Sequence, residues 1–552
     1  PLSAPDWAPL STFKWQQPDE VYKGTVVRYA CFLDDSIVSK VYNRTFFIDP
    51  NFSTRYSLPI MSLVTDSLGL FDYTDGIYVP GAHYDEDTTF WWPRGNYHKR
   101  GSEWERKAGI ASLSNNGDLL WEENVGLRMK GYGSAVMPQK SFNVYFRSEY
   151  GSSRIEYPLF KEGTVNSYKR FVLRNSGGDF IKTHFKDAVL HNIAKPLGLD
   201  VQNATPVNVF LNGEYWGIQN VREKNDEYYI AEHHNVKPET VNIVSACGVV
   251  DVGDNSDYEK LLKYANDADF TNDAVYERVG DWLDIENTID YHIMEIYYAN
   301  FDWPCNNKKL WRTTDVSSKW KYLVYDLDAT FGEGANSDAT YNSFEHAVKI
   351  DSTWPYCECS SRLFRKLLQN EKFKTKFVQR FQYCLENVFT PSIVLSEIDA
   401  IKSEYEPDMQ EHIDRWGYPE NFERWDAYIE QMRQFAINRP CEMKKHIEEF
   451  FELSDFQFEC KDPQYFVDRD DAEGFYIHSN PIRDGQVIVK KKDFKEDARY
   501  TIVNTTGQIV AGGDIVNVPS FVDVSFLKNG LYVIYFIDSE GLSAEKILIA
   551  RE

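Results

Sequence analysis

Asp302 and Asn307 stand five positions apart in Asn300-Phe301-Asp302-Trp303-Pro304-Cys305-Asn306-Asn307, just ahead of the strand-like Lys308–Trp311. A carboxylate followed at that interval by an amide fits the catalytic loop of a phosphotransferase. There the carboxylate orients a substrate hydroxyl and takes its proton, while the amide oxygen helps to hold a divalent cation. The partner element is Tyr325-Asp326-Leu327-Asp328-Ala329-Thr330-Phe331-Gly332. Read as a strand end, its Asp326 and Asp328 at i and i+2 point the same way and can meet one Mg²⁺. The Phe-Gly pair then permits a sharp turn. Each motif alone is common in polar turns. Their order, their spacing and the strand pair between them carry the assignment.

Phosphates need backbone N–H groups and cations. Arg128-Met129-Lys130-Gly131-Tyr132-Gly133-Ser134 supplies a Gly-rich turn, and Pro138-Gln139-Lys140-Ser141 opens the next strand. Gly131, Gly133 and Ser134 let the backbone approach a phosphate, and Lys140 or Arg128 would neutralise it. Many such turns are plain hairpins. Arg174-Asn175-Ser176-Gly177-Gly178-Asp179 is a second polar turn. Its Arg174 is a candidate phosphate ligand, whereas Ser176 and Asp179 suit capping and turn roles. His233-His234, and His184 with His191, lack a carboxylate at metal-site spacing. No Gly-x-Ser-x-Gly elbow supports serine-based hydrolysis. The Trp- and Tyr-rich stretch 82–105 could stack on sugars, but no carboxylate pair singles out a glycosidase.

These residues must be positioned by a large α+β framework. Strands are readable at Val125–Met129, Phe142–Phe146, Arg170–Leu173, Pro206–Leu211 and Trp216–Val221. Phe180–Leu197 carries a helical stripe of Phe185, Ala188, Val189, Ile193 and Leu197, stopped by Gly198. Ile289–Asn300 reads as a helix, Lys308–Trp311 and Trp320–Tyr325 as a hairpin, and 360–452 as mainly helical. Residues 1–50 alternate as a small antiparallel β unit. The tail from about 465 returns to short strands with Asn529-Gly530 and similar turns, as in a separate β-sandwich.

The chain has 552 residues, with 85 Asp+Glu against 60 Lys+Arg, a formal charge of −25. That length calls for more than one core, and 15 % aromatic residues exclude global disorder. An acidic chain without a basic stripe makes nucleic acid an unlikely partner. No apolar stretch nears the roughly 18 residues of a membrane span. A start at Pro1 points to a processed or truncated product. The eight cysteines are dispersed; Cys357-x-Cys359 lacks a second pair at zinc-finger spacing, so no structural metal site is expected, nor a disulfide scaffold in so large a chain.

From about Leu58 to Phe450 the sequence resembles the CotH kinase family of atypical, spore-coat-type protein kinases. The resemblance rests on Leu58–Asp66 with Gly76–Val79, Arg128–Ser134 with Pro138–Ser141, Leu173–Gly178, Leu211–Gly217, Arg222–Asp226, Asn300–Asn307 and Tyr325–Gly332. It implies a bilobal kinase-like fold that binds ATP with Mg²⁺ or Mn²⁺ and phosphorylates a protein Ser or Thr. Carried over by position, Asp302 is the catalytic carboxylate. Asn307 and Asp326 ligate the metal with Asp328 in support, and Lys140 faces the phosphates. Glu223 lies in the segment between lobes, as a salt-bridge partner or a nucleotide contact. Cys305 matches no fixed residue type of the family, and the Gly-rich turn is a loose match.

Residues 1–50 resemble the end of a chitobiase-type β-sandwich module. Residues 466–552 resemble the type A C-terminal sorting domain of secreted Bacteroidetes proteins, from Asn480-Pro481 through Val503–Val510 and Leu527–Val533 to Lys546–Arg551. The expected architecture is therefore multidomain α+β: a β unit over 1–50, a lead-in segment over 51–124, a kinase-like core over 125–452 with its N-lobe ending near 255, and a β-sandwich over 466–552. The expected function is an exported, Mg-ATP-dependent protein kinase at the cell surface. The alternative is a non-catalytic kinase-like scaffold or adhesin that binds carbohydrate. If ATP is the substrate, basic residues must gather at one cleft of this acidic chain.

Overall fold

The computed structural model describes residues 15, 17–85, 92–332 apart from 162 and 164, 337–460 apart from 352 and 354, and in the tail 475–477, 482, 485–491, 494, 498–516, 520–539 and 541–549. Asn480-Pro481 and Ala550-Arg551 lie outside them, as does part of the aromatic stretch, 86–91. The fold is mixed α/β. It divides into two units, Pro1–Phe377 with Ile401–Gln431, and Val378–Ala400 with Met432–Glu552.

The first unit is built on a closed barrel of seven strands: β1 (Ile60–Thr65), β2 (Arg106–Leu113), β3 (Leu119–Lys130), β4 (Ser141–Tyr145), β5 (Arg170–Arg174), β6 (Ala204–Leu211) and β7 (Glu214–Arg222). The order around the barrel is β5-β7-β6-β1-β2-β3-β4, closed by β4 against β5. Only the β6–β1 pair is parallel among these. Inward-facing Leu63, Ile110, Leu127, Val144, Phe171, Val209 and Trp216 fill the interior, as alternation along each strand requires. The β6–β7 hairpin turns on Asn212-Gly213, with Leu211 opposite Glu214. Both turn residues hold positive φ, 52° and 84°, the conformation that makes Asn-Gly the favoured two-residue turn. An N-terminal ribbon, Thr25–Tyr29 against Tyr42–Phe46, ties onto this barrel through Thr45 Oγ1 and Ser62 Oγ at 2.7 Å.

The Phe180–Leu197 stretch is shorter as an α-helix than its stripe predicts. The helix α1 spans Lys186–Ala194, preceded by a 3₁₀ turn at Gly177–Ile181. Asp179 explains the late start. Its buried carboxylate accepts from Thr183 N (3.1 Å), Thr183 Oγ1 (2.6 Å) and Lys186 N (3.0 Å), so it holds a loop together and caps the helix behind it. Gly198 closes the segment at φ 68°, as its sequence position indicates.

After the barrel come β8 (Val241–Ser245), β9 (Val250–Val252), helix α2 (Ile285–Tyr297), β10 (Lys309–Thr313), β11 (Lys321–Leu323) and helix α3 (Glu358–Leu367). The four strands make one sheet in the order β9-β8-β10-β11. Long helices follow at Glu371–Asn387, Pro391–Trp416 and Phe422–Phe450. Among the described residues no helix is long and apolar enough to cross a membrane.

In the tail, a four-stranded and a three-stranded antiparallel sheet share one core that includes Val487, Val489, Val522, Ile502, Ile534, Phe536 and Ile547. The strand Ile509–Ile515 is one that alternation alone does not single out, because Gly512 and Gly513 dilute its pattern.

The cysteines depart from expectation. Cys247 is bonded to Cys359 and Cys305 to Cys357, across 112 and 52 residues. Dispersal along the sequence concealed pairs that only the tertiary fold creates.

Candidate active site

Helix α2 delivers the first motif. Asp284 caps its start through Asn287 N (3.1 Å), and Ala299 at φ 53° breaks it. Asn300 then anchors the loop: its Oδ1 accepts from Asp302 N (3.1 Å) and its Nδ2 donates to Glu295 Oε2 (2.8 Å). Burial pushes the Glu295 carboxyl up to about 8, so it is protonated and uncharged beneath the loop at neutral pH. Above it the Asp302 carboxylate is held on both oxygens, Oδ1 by Asn306 Nδ2 (2.9 Å) and Oδ2 by Asn307 Nδ2 (3.0 Å). Asn307 Nδ2 also reaches Asp326 O at 3.4 Å, and Phe301 N donates to Ala329 O (3.2 Å). The two motifs are thus physically joined.

The second motif is not a strand end. β11 stops at Leu323, and Asp326 takes φ 60°, so strand alternation cannot align the two carboxylates. Arg174 aligns them instead. Its Nη2 lies 2.6 Å from Asp326 Oδ1 and 2.5 Å from Asp328 Oδ1. The Asp326 side chain is 36 % exposed and that of Asp328 only 11 %. Burial opposes the Asp326 charge, yet the Arg174 guanidinium beside it prevails and holds the carboxyl below the usual range. Burial and the Asp326 charge push Asp328 the other way. Asp328 spends its oxygens on the protein, Oδ2 on Gly178 N (2.5 Å) and Oδ1 on Arg174. It braces, and Asp326 faces the cleft.

Helix α1 grips this segment from behind. Asp187 Oδ1 accepts from Leu327 N (2.8 Å), and its Oδ2 pairs with Arg222 (2.7 Å). Lys186 Nζ donates to the carbonyls of Asp328 (3.2 Å) and Thr330 (3.3 Å). Gly177 completes the brace: at φ +60°, a Cβ there would lie 2.1 Å from Asp328 Oδ2 and 2.8 Å from Arg174 Nη2. Gly177→Ala is therefore expected to cost about 1–3 kcal/mol. Thermal or urea unfolding would check it, since an unchanged midpoint means the brace yields freely.

One cavity of about 1330 Å³ brings together Gly131, Gly133, Ser134, Arg174, Glu223, Asp302, Asn307, Asp326 and Asp328. Among the described residues its walls carry as many basic as acidic side chains, seven of each, in a chain of net charge −25. The cleft therefore lacks the acidic excess of the chain as a whole. Arg100 and His98 hold the glycine turn, through Gly131 O (2.5 Å) and Tyr132 O (2.8 Å). Trp92 packs edge-on against Tyr132, so this part of the aromatic stretch supports the turn.

Two expected phosphate ligands lie elsewhere. Lys140 is fully buried, and its ammonium donates to Ala135 O and Met137 O, both at 2.7 Å. Burial drives its pKa far below the ordinary lysine value. It shapes the glycine turn from inside. Arg128 pairs with Glu105 at 2.7 Å and sits over the Tyr145 ring, on the barrel wall. Glu223 lines the cavity, but its oxygens are taken by His233 Nε2 (2.7 Å) and by Asn203 N (2.9 Å) and Nδ2 (3.1 Å).

Sequence reasoning passed over three lysines of the cleft, Lys130, Lys224 and Lys309, and three arginines, Arg100, Arg170 and Arg222. Lys130 is the residue before Gly131, and alternation along β3 was the available signal: it puts Lys130 on the face of Arg128, opposite the core residues Leu127 and Met129. Lys224 lies 3.5 Å from Asp226, and Lys309 2.7 Å from Asp251. Desolvation, then the charge of Lys309, push the Lys130 ammonium down to about 8, with Asp326 pulling the other way.

The donor set suits a hard divalent cation. Asp326 and the amide oxygen of Asn307 are oxygen donors at the cleft wall, and Mg²⁺ commonly needs only one or two protein ligands besides phosphate and water. Both residues hold positive φ, 53° for Asn307 and 60° for Asp326, the kind of backbone strain that clusters at working sites.

The model of a family described as CotH kinase protein matches residues 127–443. Invasin CotH2 of Rhizopus delemar is 23 % identical over 284 residues, 46 % of this chain and 47 % of its own length. Invasin CotH7 of the same fungus is 22 % identical over 272 residues, 45 % and 42 % of the two lengths. The chain thus spans about half the length of the curated relatives it matches. The twitchin kinase region of C. elegans aligns with 81 % of this chain and 88 % of its own at 8 % identity and a TM-score of 0.14, too loose a superposition to assign a fold.

Proposed function

This chain belongs to the CotH kinase protein family, and we propose that it transfers the γ-phosphate of ATP to a protein Ser or Thr hydroxyl. The observation that carries the reading is the single cleft in which Asp302, Asn307 and Asp326 meet a glycine turn and three lysines. Asp302, fixed by two amides, orients the acceptor hydroxyl and takes its proton. Gly131–Ser134 offers backbone N–H groups to the phosphates, and Lys130, Lys224 and Lys309 face their charge. Asn307 and Asp326 would hold Mg²⁺ or Mn²⁺, with Asp328 in support. Bound there, such an ion neutralises charge developing on the phosphoryl oxygens. Arg174 serves in this reading as the counter-charge of the Asp326–Asp328 pair rather than as a phosphate ligand.

Export, and surface display through the C-terminal β unit acting as a type A sorting domain, belong to the same proposal. Labelled phosphate transfer from ATP to a Ser/Thr-rich protein, with Mg²⁺ or Mn²⁺ present and absent, tests the activity. Metal-dependent labelling supports it, and none with either ion rejects it.

A second reading, a kinase-like adhesin without catalysis, is favoured by the name invasin that both fungal relatives carry. Calorimetry separates the two, because an adhesin of that kind gives no heat with ATP and metal. The phosphotransfer reading also makes a pH prediction. Lys130 is charged below about 8 and loses its charge as pH rises through that value. A bound phosphate raises its pKa, so ATP affinity is expected to fall above pH 8, by up to about tenfold per unit. Lys130→Met should bind more weakly at pH 7 and lose that slope.

A further inference from the structure

Three chain segments that are remote in sequence bring three cysteine sulfurs together beside the Asp302 loop, with a fourth, that of Cys305, bonded to one of them. Cys247 sits in the turn that follows β8, Cys305 lies between Asp302 and Asn307, and Cys357 and Cys359 open helix α3. The sulfurs of Cys247, Cys357 and Cys359 lie within 4.8 Å of one another, and Cys305 is bonded to Cys357. Cys247 Sγ and Cys357 Sγ, which are not bonded to each other, are 3.4 Å apart. Four thiolates at about 2.3 Å from a tetrahedral zinc would lie about 3.8 Å apart, close to that separation. Cys357 is the N-cap of α3 and Cys359 lies in its first turn, where unpaired backbone N–H groups favour thiolate over thiol.

We propose that Cys247, Cys305, Cys357 and Cys359 form a thiolate site for one zinc ion, of which the two disulfides are the oxidised counterpart. The second pair that Cys357-x-Cys359 lacks in sequence is supplied by Cys247 and Cys305 in space. The two forms interconvert with balanced chemistry. Two molecules of a dithiol reductant each attack one disulfide, break its S–S bond and close their own, giving up two electrons and two protons apiece. The four thiols then release four protons as they bind one Zn²⁺. Closing the four-sulfur shell requires the Cys305 sulfur to swing toward Cys247 and Cys359 once its bond to Cys357 is broken. The site ties the loop that carries Asp302 to helix α3 in either form. It does not depend on the phosphotransfer reading.

The full chain, reduced anaerobically, stripped with a chelator and titrated with Co²⁺ alone, tests the site. One Co²⁺ per chain is expected, with the visible absorption of a tetrahedral thiolate complex, displaced by one Zn²⁺. Cys305→Ser should weaken Co²⁺ binding by at least about 10–100-fold. The double variant Cys31→Ser with Cys460→Ser, at exposed free cysteines, should leave it unchanged. The zinc-edge absorption spectrum of the wild type needs no variant, and four sulfur neighbours are expected. Absence of the thiolate absorption, binding indifferent to Cys305→Ser, or a zinc shell dominated by nitrogen and oxygen would overturn the assignment.

Discussion

Asp302→Asn is expected to slow phosphate transfer by about 10²–10⁴-fold while ATP affinity stays within about twofold of wild type. The reason is geometric. Asp302 is held on both oxygens by Asn306 Nδ2 at 2.9 Å and Asn307 Nδ2 at 3.0 Å. An asparagine of the same shape can keep one of those bonds. Its other terminus becomes an amide NH2 that cannot accept a proton from the acceptor hydroxyl. Asp326→Ala should behave differently, because it removes a cation ligand: metal-dependent nucleotide binding should weaken together with transfer. Single-turnover labelling and calorimetry on the two variants separate the roles. Should Asp302→Asn label the acceptor as fast as wild type, the base lies elsewhere. Should Asp326→Ala bind Mg-ATP normally, the cation site does.

Local patterns read well because they depend on near neighbours. The β6–β7 hairpin is dictated by Asn212-Gly213 and the alternation on either side of it. Helix α2 and its hairpin partner follow from periodicity and length in the same way. The Asp302–Asn307 contact was legible for another reason: the two residues bond to each other within five residues, so their spacing is itself the geometry. Long-range partners were not legible. Arg174 acts on carboxylates 152 and 154 positions away, and no local rule names a partner at that distance. Lys140 was misplaced because a cation beside a glycine turn reads alike whether it faces solvent or the interior. Only the closed barrel, which turns that position inward onto Ala135 O and Met137 O, decides it. The same limit hid the cysteine pairs.

The −25 charge raises a problem that the cleft answers locally. Seven basic groups offset seven acidic ones around the cavity, although acids outnumber bases by 25 over the chain. Several of those cations are engaged with the cleft's own carboxylates, Lys309 with Asp251 and Arg170 with Asp226 at 2.6 Å. Among the described residues Lys130 has no ion pair, and it lines the cavity that also holds the glycine turn and Asp326. A cleft balanced in this way admits a polyanion without attracting one strongly when the divalent ion is missing. Nucleotide and metal affinities should therefore be coupled.

Arg174→Met is expected to destabilise the protein by about 3–5 kcal/mol at pH 7, the usual result of removing one partner from a buried ion pair. Asp326 and Asp328 would lose the guanidinium that now lies 2.6 and 2.5 Å from them. The pH dependence separates charge from packing. In the wild type Arg174 holds Asp326 below the ordinary carboxylate pKa. That contribution is present above about pH 4 and is lost as pH falls through the depressed folded value. Asp328 is raised, so its share has the opposite sign: it favours folding at low pH and fades as pH rises. Without Arg174 both carboxylates titrate upward, and protonation relieves their repulsion. The stability gap between wild type and variant should therefore narrow from pH 7 to pH 4. A gap that stays constant would assign Arg174 a packing role. Divalent cations give the second arm. With the guanidinium gone, Mn²⁺ or Mg²⁺ alone should stabilise Arg174→Met more than wild type, rising as RT ln(1 + [metal]/Kd). Arg174→Lys, which keeps a positive charge but not the planar guanidinium whose Nη2 reaches both carboxylates, should fall between the two in both measurements. If metal leaves the variant's unfolding unchanged, Asp326 and Asp328 are joined for structure alone and the cation must find its ligands elsewhere in the cleft.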